Sequence, residues 1–159
     1  MKNRMSKNEE KILCPSARAQ PGAQLVGIRQ ANGTVAILPQ ALKVTTEFIN
    51  IASNDGIEPE KKFRFSNKCV EHGCAQWTGV RCGVADRIAE QFELLMHHKE
   101  DRKLPECAIR SQCRWFKQLN AQACEVCPYV VTKISEEEID AYFENAGKEF
   151  SDEKFRPYL

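Results

Sequence analysis

Cysteine is the residue type through which this 159-residue chain could do chemistry, because seven of its eight cysteines lie between Cys69 and Cys127. Each of two groups has a tryptophan shortly after its second cysteine. The candidate ligands are Cys69, Cys74 and Cys82 in the first group, Cys107, Cys113, Cys124 and Cys127 in the second, and the isolated Cys14. Closely spaced thiolates in a reducing compartment usually bind a metal. The pattern therefore predicts a metal or iron–sulfur site.

Iron–sulfur chemistry accounts for more of these cysteines than zinc does. A structural zinc site takes four ligands, commonly in two close pairs. Cys69 with Cys74 and Cys124 with Cys127 fit such pairs, but seven residues separate Cys74 from Cys82. The ligands of an iron–sulfur cluster need not meet at one point, because its irons are spread over a cube. We therefore expect a [4Fe–4S] cluster, with zinc as the alternative.

The number of cysteines allows one cluster or two. A four-iron cluster takes four cysteines, and the second group supplies four by itself. The first group supplies three and needs a fourth, which Cys14 or His72 can provide. One cluster drawing two ligands from each group is a further alternative. Proline follows both Cys14 and Cys127, as it follows the last ligand of bacterial ferredoxins, although the ferredoxin run of gaps is absent.

Two interpretations without a metal compete with this prediction. Cys124 and Cys127 have the spacing of a dithiol redox pair, but the segment before them looks helical rather than part of a βαβ unit. Structural disulfides belong mainly to small secreted chains, and residues 1–11 lack the apolar stretch of a signal peptide. We therefore rank thiol–disulfide exchange third, after iron–sulfur and zinc, and expect a cytoplasmic protein.

Composition and charge restrict the functional classes further. The chain is 42% hydrophobic and 28% charged with a net charge of +1, which is typical of a soluble globular protein and gives no general attraction to nucleic acid. No apolar run is long enough to cross a membrane. Catalytic motifs are also absent, so whether the chain is an enzyme stays open. We expect a redox partner protein or a larger enzyme as its partner.

Basic side chains accompany the cysteines and the two tryptophans. The basic residues in question are Arg81, Arg87, Arg110, Arg114 and Lys117. Basic groups interleaved with aromatic rings are typical of single-stranded nucleic acid binding. The alternative function is accordingly a zinc-stabilised module that binds protein or nucleic acid. We favour attraction to an anionic thiolate cluster instead.

Local patterns predict the elements that must position these residues. Asn32-Gly33 between two β-rich runs predicts a hairpin whose two turn residues have positive φ, with Pro39 ending the second strand. Helices are predicted over residues 46–52, 84–100 and 108–121, and a capping box at Ser135 predicts another near the end. Residues 63–65 are predicted to be briefly extended.

These elements predict an α+β fold in which a small N-terminal β-hairpin packs on a mainly helical, cysteine-rich body. Residues 1–20 are expected to form a polar arm and residues 21–159 a single domain. Within it, residues 21–66 would hold the hairpin and short helix, residues 67–130 the cluster-binding region, and residues 131–159 an acidic helix.

Overall fold

A four-stranded antiparallel sheet forms the centre of the molecule. The computed structural model describes residues 10–96 and 103–130. The strands are β1 (Leu13–Ala17), β2 (Gln24–Arg29), β3 (Val35–Lys43) and β4 (Phe63–Lys68), in the order β1-β4-β2-β3. The prediction of a small hairpin on a mainly helical body was therefore wrong. Two further strands extend the hairpin, because β4 pairs with β2 and β1 pairs with β4.

Strand β1 was not predicted, whereas the extended segment predicted over residues 63–65 is the start of the longer strand β4. β1 lies within the region that was expected to be a polar arm, and its five residues include Pro15. At that length there is too little alternation to distinguish a strand from a loop. Its pairing with β4 holds it in place.

The predicted hairpin is present between β2 and β3, but its turn differs from the expected one. Gln30 N donates to Thr34 O over 2.7 Å, and Gly33 N donates to Gln30 O over 3.0 Å. Among the loop residues only Gly33 has a positive φ, of 83°. The loop is thus a type I turn followed by a glycine bulge rather than a two-residue type I′ turn. Asn32 contributes its side chain, whose Oδ1 accepts from Thr34 N.

Pro39 does not end β3, which continues to Lys43. β3 is an edge strand of the sheet, and an edge strand tolerates proline because one side of its backbone needs no partner in the ladder. The pairing of β2 with β3 shifts register between Leu25 and Gly27.

The helices agree with the predictions in part. Helix α1 (Thr46–Ala52) has the predicted bounds and is capped by Thr45, whose Oγ1 accepts from Phe48 N. Helix α2 (Gly83–Met96) matches the start of the predicted helix over residues 84–100, whose end lies outside the described residues. The helix predicted after Ser135 also lies outside the described residues. Among the described residues, no helix is long and apolar enough to cross a membrane.

The continuous helix predicted over residues 108–121 was wrong. A 3₁₀ turn (Arg110–Gln112) comes first, followed by the short helices α3 (Arg114–Leu119) and α4 (Ala121–Val126). Asn120 separates the two helices with a φ of 55°. Asparagine adopts positive φ more readily than most residues, so it can redirect the chain without glycine.

Two apolar clusters pack around the sheet. The larger joins β1 and β2 to helices α2, α3 and α4, and its members include Leu13, Val26, Ile88, Trp115 and Val126. The smaller contains Ala23, Leu25, Val44 and Phe65, with Phe48 of α1 packed against it. Neighbouring residues of a strand point to opposite faces. Arg64 of β4 therefore points toward the helical side that carries cysteines, while Phe65 packs in the smaller cluster.

Candidate metal centre

The structure brings Cys14 together with the three cysteines of the first group. We call Cys14, Cys69, Cys74 and Cys82 the first set. Cys14 on β1 lies opposite Asn67 on β4, and Cys69 N donates to Ile12 O over 2.9 Å just beyond the ladder. Burial raises the pKa of Cys14 to about 11, and the neighbouring thiols of Cys69, Cys82 and Cys74 contribute to the rise. Sheet pairing thus places Cys14 beside cysteines that are distant in the sequence.

A 3₁₀ turn, Glu71–Gly73, connects Cys69 to Cys74. Cys74 N donates to Glu71 O over 2.9 Å, and Glu71 has a φ of 46°. Cys74 is solvent-exposed, whereas the other three cysteines of the first set are partly buried. His72, the alternative ligand, lies with its ring edge against Trp77, with 5.9 Å between the ring centroids.

A small hairpin carries the chain from Cys74 to Cys82. Trp77 and Cys82 form an isolated antiparallel bridge, and Thr78 N donates to Arg81 O over 2.9 Å. The hairpin then folds back onto α2, where Gly83 N donates to Gln76 O over 2.7 Å. A Cβ atom at Gly83 would lie 2.8 Å from that oxygen, so the close approach requires glycine.

The second group is also brought together, in a more buried place. We call Cys107, Cys113, Cys124 and Cys127 the second set. All four line one cavity of about 30 Å³, together with apolar side chains that include Val26, Ile109 and Trp115. Cys113 and Cys124 are buried. Burial raises the pKa of Cys113 to about 12, and Cys127 and Cys107 contribute.

The local structure explains how the second set converges. A 3₁₀ turn, Arg110–Gln112, separates Cys107 from Cys113 in the same way that a 3₁₀ turn separates Cys69 from Cys74. Cys124 lies in α4 and Cys127 is its C-cap residue. Residues three apart lie on one side of a helix, so this pair faces one direction.

Arginine side chains contact the sulfur atoms of the second set. Arg64 Nη1 donates to Cys127 Sγ over 2.7 Å and to Cys127 O over 2.9 Å, while Nη2 donates to Val130 O. Arg110 Nε donates to Cys124 Sγ over 3.3 Å. Burial raises the pKa of Cys127 and of Cys124, and Arg64 and Arg110 respectively oppose that rise.

Sequence analysis did not single out Arg64, which the structure shows to be only 6% exposed. It lies between Phe63 and Phe65, in a segment that the sequence predicted only to be briefly extended. Recognising the segment as a central strand would have identified it, because a charged residue on a covered strand needs a specific partner. Its guanidinium lies over the Trp115 ring, 5.8 Å from the centroid.

The first set has a corresponding arginine. The Cζ atom of Arg114 lies 5.0 Å from the centroid of the Trp77 ring, and the guanidinium pairs with the Glu71 carboxylate. Burial alone would lower the pKa of Arg114, but the adjacent Cys69 and Glu71 raise it. In each set, therefore, an arginine lies between a cysteine and a tryptophan.

The remaining basic residues of the cysteine-rich region have other partners. Arg81 pairs with Asp86 at 2.6 Å and Lys117 with Glu10 at 3.0 Å. Arg87 donates to the Gln76 side chain. Of the basic residues singled out in the sequence, Arg110 and Arg114 contact cysteines.

The two sets are neighbours. Leu13 forms a parallel bridge with Cys113, and Cys14 is the next residue along β1. On the other side of the first set, Gln118 of α3 accepts from Cys82 N over 2.8 Å and donates to Cys82 O over 3.3 Å. The segment that carries Cys113 therefore contacts the segments that carry Cys14 and Cys82.

All eight cysteines are free thiols. Within residues 10–96 and 103–130, no three His, Cys, Asp or Glu side chains are gathered tightly enough to hold a single metal ion. A tetrahedral zinc site would need its sulfurs about 3.8 Å apart, given Zn–S bonds of about 2.3 Å. The ligands of a four-iron cluster bind separate iron atoms and can lie farther apart.

Comparison with protein-family models, curated proteins and solved structures finds no match to this chain. The function of the two sets has therefore to be inferred from their own chemistry.

Proposed function

We propose that the protein binds two [4Fe–4S] clusters, one at each set, and transfers electrons to a redox partner or within a larger enzyme. The observation that carries this proposal is the division of eight cysteines into two spatial sets of four. Four is the number of thiolates that such a cluster requires. The first set reaches four only because β1 places Cys14 beside Cys69, Cys74 and Cys82.

The arginines support an anionic group at the second set. Arg64 is buried, and its partners among the described residues are a thiol and two carbonyl oxygens rather than a carboxylate. A buried cation without a counter-ion is costly. Loss of the Cys127 proton on cluster binding would place a negative charge 2.7 Å from Nη1 and so remove that cost.

The cavity at the second set has room for about one water molecule. A cluster is larger than this, so we expect the four cysteine side chains to turn outward as it binds. Iron–sulfur clusters supply one-electron chemistry to the proteins that hold them, and the chain's own residues would set the potential through hydrogen bonds and burial.

Thiol–disulfide exchange is disfavoured by the environment of Cys124 and Cys127. A reactive cysteine is accessible and has a lowered pKa. Cys124 is instead buried, and the pKa of each thiol is raised by burial. Zinc would use the same cysteines as a cluster, so the test must separate the two metals.

The test is metal and sulfide analysis of protein purified without oxygen. We expect about eight iron atoms and about eight acid-labile sulfides per chain, with broad visible absorption that bleaches on reduction. Stoichiometric zinc without sulfide would contradict the proposal. Protein reconstituted with iron alone, without a sulfide source, is the control, and it should not develop the cluster absorption.

A further inference from the structure

Two N–H groups at the first set are buried and have no acceptor among the described residues. They are Trp77 Nε1 and Arg114 Nε. Indole and guanidinium nitrogens can only donate hydrogen bonds. Native structures leave few buried donors unpaired, and each one calls for an explanation.

Both groups lie beside the first set, Trp77 on the hairpin before Cys82 and Arg114 at the start of α3. Trp77 stands between Cys74 and Cys82 in the chain and forms a bridge with Cys82. Arg114 lies over the Trp77 ring and beside Cys69. The Nη2 atom of Arg114 is already paired with Glu71, so the guanidinium is held in place. Its Nε atom nevertheless has no acceptor among the described residues.

The second set is different in this respect. There, Arg64 Nη1 donates to Cys127 Sγ and Arg110 Nε donates to Cys124 Sγ. The protein's own sulfur atoms thus satisfy the arginine donors that reach the second set. At the first set, Arg114 also has a side-chain hydrogen bond with Cys69, yet its Nε and Trp77 Nε1 have no acceptor among the described residues.

We propose that Trp77 Nε1 and Arg114 Nε donate hydrogen bonds to the sulfur atoms of the cluster at the first set and thereby stabilise its reduced form. This inference rests on the proposed function. Inorganic sulfide adds acceptors at this site beyond the cysteine sulfurs, whereas a zinc ion adds none. A reduced cluster carries one more negative charge than an oxidised one, so the two donors stabilise it more and make its potential more positive.

Trp77→Phe tests the inference, because it keeps an aromatic ring under Arg114 and removes the indole N–H. We expect the midpoint potential of one cluster to become more negative, with about a tenfold loss in the equilibrium constant for reduction, which is 59 mV for one electron. The other cluster should keep its potential. Trp115→Phe is the matched control at the second set, and it should leave the potential of the first cluster unchanged.

A second variant and a second readout guard against a variant that fails to fold. Arg114→Lys keeps the positive charge and removes the Nε donor, so it should shift the same cluster in the same direction. Electron–nuclear double resonance of the reduced protein in H₂O and D₂O should detect an exchangeable proton coupled to that cluster. The coupling should be lost in Trp77→Phe.

The outcomes separate the two proposals. Two bound clusters with unchanged potentials in Trp77→Phe and Arg114→Lys would overturn the hydrogen-bond inference and leave the cluster assignment intact. Protein that contains zinc, or neither iron nor sulfide, would overturn both.

Discussion

The two sets of cysteines are alike in number and partners but differ in their surroundings. The second set lies against the larger apolar cluster, with Cys113 and Cys124 buried. Apart from Cys14 on β1, the first set lies on loops near the surface. Cys74 is exposed there, and the flanking Val70 and Val80 are 63% and 81% exposed. Exposure to solvent is one of the factors that set the potential of a cluster. We therefore expect clusters at the two sites to have different reduction potentials. We also expect a redox partner to approach the first set, because it is the more exposed.

The sets also depend on different parts of the fold. The second set comes from one continuous stretch, residues 107–127, whose short helices bring it together. The first set requires β1 to pair with β4, because Cys14 is otherwise far from Cys69 along the chain. Long-range pairing of this kind must offset the entropy of closing a long loop, and it depends on the whole sheet being in place. The first set should therefore be the more sensitive of the two to changes in the sheet.

The largest effect expected of a single substitution is that of replacing the buried arginine of the second set. Arg64→Met removes hydrogen bonds to Cys127 and to the Val130 carbonyl. Two buried carbonyls left with fewer partners cost about 1–3 kcal/mol each. Removal of the uncompensated buried charge offsets part of this cost, so the free energy of unfolding of the metal-free protein should fall by about 2–3 kcal/mol. Urea denaturation measures this. Arg81→Met is the control, because Arg81 forms an ion pair with 49% of its side chain exposed, which contributes at most about 1 kcal/mol.

A loss no larger than that of Arg81→Met would show that Arg64 does not organise the second set. The buried second set would then differ less from the exposed first set than the contacts of Arg64 indicate.

The next effect concerns pH and involves both sets through Cys14 and Cys113. Their pKa values are raised from the ordinary 9.0 to about 11 and about 12. Between pH 9 and these raised values, the folded metal-free protein keeps thiol protons that the unfolded chain has released. The stability is therefore fully present below pH 9 and declines as the pH rises through the folded values, by a few kcal/mol in total. Thermal melting between pH 7 and pH 11 should show the decline.

Cys14→Ala should reduce that decline over its lower part, because it removes one of the titrating thiols. A melting temperature that stays constant to pH 11 in the unmodified protein would contradict the burial of the two thiols. Samples with dithiothreitol throughout control for oxidation of the cysteines.

A smaller effect distinguishes the two sets directly. Cys113→Ser places a hydroxyl in a buried position and should lower the free energy of unfolding of the metal-free protein by about 1–3 kcal/mol. Cys74→Ser at the exposed position should change it by less than about 0.5 kcal/mol. Each variant should nevertheless lose one cluster. Equal destabilisation by the two substitutions would remove the distinction between a buried and an exposed set.

Sequence analysis recovered the local elements of the fold and missed the non-local ones. Helix α1 has its predicted bounds, and the Asn32-Gly33 hairpin is present, because a cap and a turn are encoded by neighbouring residues. Strand β1 is too short to give a recognisable pattern. Apolar periodicity predicted one helix across Asn120, but α3 ends there in the structure. Cys14 lies on β1, which belongs to the sheet that sequence analysis did not predict.

The candidate site shows the same limit. Residue type and spacing were sufficient to identify all eight cysteines as candidates and to raise Cys14 as the fourth member of the first set. Spacing could not identify Arg64, because its contact with Cys127 depends on which face of β4 points toward α4. It also could not show that Trp77 and Arg114 keep unpaired donors, since that depends on packing between segments distant in the chain.

The most direct test of the central claim is the iron and sulfide content of Cys14→Ser after anaerobic purification, measured beside Ser53→Ala as a control at the end of α1. If the protein holds two clusters, one at each set, iron should fall from about eight to about four atoms per chain, and sulfide should fall with it. Ser53→Ala should keep about eight. Unchanged iron both in Cys14→Ser and in Cys14→Ala, which has no side-chain ligand atom, would show that Cys14 is a packing residue and that the first set does not hold a cluster through four cysteines.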